Sequence, residues 1–130
     1  MDGFEVVGLW IGLNVLLMVF LKGAVGRTRG QTKVDFGAGD SEAMQRMMRV
    51  QGNAVEDVPI ALIGLGILGL MSAPVMLLHG LGGTLFVSRV LHASGLGSKG
   101  GFSFGRIAGT IGSMLVLLIT GIACIYLALT

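Results

Sequence analysis

Four long apolar stretches constrain this chain more than any other feature. They are Phe4–Leu21, a stretch of roughly 45–72 whose apolar part is Val58–Met71, roughly Val75–His92, and roughly Ile107–Leu129. A helix needs about 20 mostly apolar residues to cross a hydrocarbon core some ~30 Å thick. Only 12% of the residues are charged and 53% are hydrophobic, whereas an average soluble domain is about 25% charged. With a mean hydropathy of +0.86, a soluble chain of 130 residues has too few polar groups to wet its surface. The expectation is an all-α, integral membrane four-helix bundle of up-down topology. It forms a single domain over residues 1–130 with spans at about 4–21, 45–72, 75–92 and 107–129.

The first stretch also has the length of a secretory signal. Such a signal begins with basic residues, but here Asp2 and Glu5 precede the run, and Lys22, Arg27 and Arg29 follow it. A membrane span is the better reading. Ser41 is expected to cap the helix that leads into the second stretch, and Ser72–Pro74 to form a tight turn into the third.

The basic residues fall into two loops. Lys22, Arg27, Arg29, Lys33, Arg46 and Arg49 lie between the first and second spans, and Arg89, Lys99 and Arg106 lie around the connection from third to fourth. The positive-inside rule then puts both basic loops in the cytoplasm and both termini on the other side.

Polar residues at membrane depth are costly and mark functional candidates. In Gln45–Pro59, residues Arg49, Asn53 and Glu56 follow the i, i+4, i+7 spacing of one helix face. A guanidinium, an amide and a carboxylate in a row suit a zwitterionic, peptide-like ligand. The competing reading is an Arg49–Glu56 pair that only joins helices. Arg46 and Arg49 exceed what one carboxylate neutralises, which favours an anion site. Asp57, turned off the row, is expected to neutralise Arg46 or a group on another helix. Arg89, His92 and Arg106 form a second cluster, Arg106 opening the fourth span where helix N–H groups favour anions. The alternative for the arginines is snorkelling to lipid phosphates. His79 reads as a structural hydrogen-bonding residue and Cys124 as a buried, inert thiol. Two histidines thirteen positions apart, with no carboxylate or cysteine at ligand spacing, make no metal site. No nucleic-acid partner is expected, because the basic loops lack interleaved aromatics.

Gly64–Gly69 has the spacing of a dinucleotide fingerprint but lies inside a membrane helix with no preceding strand, so it carries no such meaning. Gly95–Gly101 lacks the order of a phosphate loop. The pairs Gly8/Gly12 and Gly105/Gly109 have the spacing of close helix contacts.

The segment Arg49-Val50-Gln51-Gly52-Asn53-Ala54-Val55-Glu56-Asp57-Val58-Pro59 resembles the second-helix motif of the MAPEG family, membrane-associated proteins in eicosanoid and glutathione metabolism. Val34–Asp40 is similar to a loop of bacterial members, and Arg89–Gly95 to the end of the family's third helix. The resemblance covers nearly the whole chain. It implies a homotrimer in membrane lipid, in a bacterial inner membrane, with glutathione as cosubstrate between subunits near the cytoplasmic side. Arg49, Asn53 and Glu56 would hold glutathione with Gln51 nearby and His92 in contact. Arg106 corresponds to the fourth-helix arginine that favours the thiolate. Arg29, or else Arg27, corresponds to a first-loop arginine. The sequence departs from the family pattern at Asp57 and Leu96, where many members carry tyrosine.

The resemblance implies a glutathione-dependent transferase or peroxidase acting on a lipophilic small-molecule substrate. The alternative is a non-catalytic scaffold binding lipid or thiol. A small transporter is a third possibility, disfavoured by the lack of mid-membrane carboxylates in three of the spans.

Overall fold

In the computed structural model, which describes residues 1–98 and 104–130, the chain forms α1 (Gly3–Thr32), α2 (Glu42–Leu70), α3 (Val75–Ser98) and α4 (Phe104–Leu129). All four are long and apolar enough to cross a membrane. The first three have a local reason to start where they do. Asp2 and Glu5 build a reciprocal capping box at the start of α1, with bonds of 2.9 and 2.8 Å. Ser41 Oγ accepts from the Met44 N–H at 3.1 Å, as expected for the cap of α2. Ser72 adopts a left-handed φ of 58°, and the Ala73 N–H returns to Leu68 O, closing the turn into α3.

Close contacts between helices set the direction of each. Gly69, late in α2, lies against Val7, early in α1. Trp10 of α1 meets His79, early in α3. Gly105 and Gly109, early in α4, lie against Leu91, His92 and Gly95, late in α3. The path is therefore up, down, up, down. Each of α2 and α3 packs on all other helices, whereas α1 and α4 do not touch each other. The bundle is a rhombus with α2 and α3 across its short diagonal.

The apolar spans predicted from sequence are shorter than the helices. α1 continues eleven residues beyond Leu21, because nothing between Lys22 and Thr32 breaks a helix and Leu21 and Val25 remain buried. At about 1.5 Å per residue, its 30 residues overrun the hydrocarbon core. Lys22, Arg27 and Arg29 therefore ride on rigid helix, which corrects the long first loop expected from sequence. Lys33, at φ 56°, ends it.

α4 buries only Gly109, Ser113, Val116 and Thr120, a single stripe. Its other faces carry exposed Ile111, Leu118, Ile122 and Ile125. An exterior of this kind is stable in lipid and not in water.

Candidate functional site

The site forms at the end of the bundle where α2 begins, α3 finishes and α4 begins. Gly109 is what allows α3 and α4 to close there. A side-chain carbon at that position would collide with Ser88 O, and with His92 N and Cβ at 2.7 and 2.6 Å. Gly105 makes the same kind of approach to Leu91 O, so this glycine pair does mark a helix contact. Gly8 and Gly12 meet nothing within the chain.

Closing these helices buries Ser88, Arg89 and His92 of α3. Arg89 is 2% exposed and His92 is 1% exposed. Arg89 is not a snorkelling interfacial arginine: its Nη1 donates to Asp57 Oδ2 of α2 at 3.2 Å and to Ser113 Oγ of α4 at 3.1 Å. A buried guanidinium without a carboxylate would be very costly, so this pair ties α2, α3 and α4 together. Ser113 Oγ in turn donates to Gly109 O at 2.9 Å. Of the two partners expected for Asp57, the structure selects the neighbouring helix. Arg46 instead pairs with Glu42 at 3.7 Å.

On α2 the row expected from sequence is intact. Arg49 and Glu56 are exposed and Asn53 is half-buried, its Nδ2 donating to Arg49 O at 3.3 Å. Among the described residues, neither Arg49 nor Glu56 has an ion-pair partner. The helix-joining Arg49–Glu56 pair is therefore not formed. His92 lies within electrostatic reach of Arg89, Arg106 and Arg49, a cation from each of the three helices. Arg106 stands exposed in the first turn of α4.

Other candidates are placed elsewhere. Gln51 is about 200° around α2 from Arg49 and lines a groove against α1. Arg29 donates to Val34 O and Gly37 O at 3.2 and 3.0 Å, holding the loop after α1, while Arg27 is exposed. The side chain of Leu96, and Lys99, lie outside the described residues. His79 accepts the Trp10 indole N–H on Nδ1 at 3.1 Å, the structural role read from sequence. Cys124 is half-buried, its thiol directed to Gly64 O at 3.9 Å. Sequence reasoning missed the part played by Ser113, since a lone serine in an apolar helix gives no signal.

The arrangement is an outward-facing row of complementary charges beside a cationic corner. It offers a carboxylate for an amine and guanidinium groups for carboxylates or a thiolate.

Comparison with known proteins agrees with the resemblance. A family model described as the MAPEG family matches residues 7–126. The inner membrane protein YecN of Escherichia coli strain K12 is 32% identical over 90 residues, 69% of this chain and 69% of its own length. The protein of the same name from Escherichia coli O6:H1 gives the same values. No solved structure matches.

Proposed function

This chain belongs to the MAPEG family, and on that premise we propose that it is a glutathione-dependent transferase, with peroxidase activity, acting on lipophilic electrophiles in a bacterial inner membrane. The carrying observation is the Arg49/Asn53/Glu56 row, whose exposed end charges lack partners among the described residues, at the same end of the bundle as His92 and Arg106. The row faces outward from the single chain, which supports a ligand held between subunits of a homotrimer.

Glutathione fits this set chemically: it carries two carboxylates, an amine and a thiol. Arg49 and Asn53 would take a carboxylate and the peptide backbone, and Glu56 the amine. Arg106 would stabilise the thiolate, as a nearby cation does for any thiol. In transfer, the sulfur bonds to an electrophilic carbon and the leaving group departs with the bonding pair. In peroxide reduction, two thiols give a disulfide while the hydroperoxide becomes an alcohol and water. Lipid would bring the second substrate to the bundle between helices.

A second reading is a scaffold that binds without turnover. It draws on Asp57, which is engaged with Arg89 where many members carry tyrosine, and on the single tyrosine, Tyr126, which lies at the far end of α4. Calorimetric titration of the purified chain with glutathione tests the first reading, and absence of binding by folded protein overturns it. A conjugation assay with chlorodinitrobenzene then separates the two, because a scaffold binds without product formation.

A further inference from the structure

The Arg89 guanidinium uses only one of its nitrogens on the partners described above. Nη1 donates to both Asp57 Oδ2 and Ser113 Oγ. Nε and Nη2 carry two parallel N–H bonds along the other edge of the planar group. Both are buried and have no partner among the described residues. One helical turn on, His92 Nδ1 is also buried and without a partner there. The i, i+3 spacing sets these two side chains next to each other on one face of α3.

A buried donor or acceptor left unpaired is expensive, and here three such atoms sit on two neighbouring side chains. Two are fixed donors. The third, Nδ1, accepts when the imidazole is neutral with its proton on Nε2. An occupant that completes this set must accept twice and donate once. Water does both, and buried waters typically make about three hydrogen bonds to groups that otherwise lack them. A halide or a carboxylate accepts but cannot donate to Nδ1. Charge balance points the same way, because Asp57 already neutralises Arg89 and a second anion would add an unpaired charge to the core. Arg49 and Arg106, the other cations in reach of His92, are exposed and cannot balance it there. Arg89 and His92 are both closed off from the outward-facing row, so a ligand held on that row does not reach this edge.

We propose that one ordered water is bound inside each subunit between Arg89 and His92, accepting from Nε and Nη2 of Arg89 and donating to Nδ1 of His92. It completes a chain from Asp57 through Arg89 to His92. It thereby fixes the plane of the imidazole, and which of its nitrogens carries the proton, beside the cationic corner.

The test is a high-resolution crystal structure of the full chain, grown with bromide as the only halide. Wild type should show one spherical density feature about 2.7–3.2 Å from the Arg89 edge and from His92 Nδ1, with no anomalous bromine signal. His92→Phe keeps a ring but removes Nδ1, and should lose the feature. His92→Asn, whose amide oxygen stands in for Nδ1, should keep it. Labelling with 15N-histidine gives a second readout that needs no crystal, since the chain has two histidines. Nδ1 of His92 should show the shift of a hydrogen-bonded acceptor nitrogen, and that shift should be lost in the Asp57→Leu/Arg89→Met double variant. Bromide at the position, no feature in wild type, a feature that persists in His92→Phe, or an Nδ1 shift unmoved in the double variant overturns the assignment. If His92→Phe does not fold, the wild-type density and the Nδ1 shift decide it.

Discussion

Arg89 of α3 and Asp57 of α2 are joined at 3.2 Å across the bundle, with the arginine side chain 1% exposed and the aspartate 26%. The pair closes the bundle just inside the candidate site. It also leaves Glu56, the preceding residue on α2, to face outward.

Breaking this pair from one side should be far worse than replacing both partners. Asp57→Asn should destabilise the folded protein by about 3 kcal/mol, because it strands a buried guanidinium, while an apolar Asp57→Leu/Arg89→Met double variant should recover much of that loss. Thermal unfolding in detergent, arranged as a double-mutant cycle, measures the coupling. Additive effects would show that the two residues do not interact.

The two glycine pairs should behave oppositely. Gly109→Ala must push α3 from α4 and should cost about 1–3 kcal/mol, as overpacking does. Gly8→Ala and Gly12→Ala meet open space within the chain and should leave the stability of the isolated subunit unchanged. A loss of oligomer mass in the latter variants, seen by light scattering, would locate a contact between copies on that face.

The single tryptophan, Trp10, reports on the end of the bundle opposite the site. His79→Leu removes the acceptor of its indole N–H and should cost about 1 kcal/mol. Tryptophan emission should shift in that variant, and it should stay in place in Arg49→Ala.

Charge removal on α2 should separate the row from its neighbours. Arg49→Ala should weaken glutathione binding roughly 10–100-fold, the range for a lost hydrogen bond to a charged group. Arg46→Ala should have a smaller effect, because Arg46 is engaged by Glu42. Calorimetry compares the two directly, and equal losses would remove the row from the proposed site.

On the proposed function Arg106 would stabilise the thiolate, so its loss should fall on turnover. Arg106→Ala should lower kcat about 100-fold or more, the cost of losing one preorganised charge-stabilising donor, with little change in glutathione affinity. Steady-state conjugation kinetics at saturating glutathione provide the check.

The sequence by itself determined the four spans, the Ser41 cap of the second helix and the face shared by Arg49, Asn53 and Glu56. These are properties of local periodicity and of transfer from water to lipid, and they do not depend on what a helix packs against. It also supplied the family, because the Arg49–Pro59 motif is continuous in the chain. Tertiary structure decided the partners. Whether Asp57 answers Arg46 or a neighbouring helix, whether Arg89 lies in lipid or in the core, and which helix Gln51 faces all depend on how four helices pack. That packing turns on Gly109 and its neighbours on α4, where the absence of a side chain lets α3 come close enough to bury Arg89 and His92. No pattern local to α2 or α3 carries that information, since the deciding contact lies on another helix.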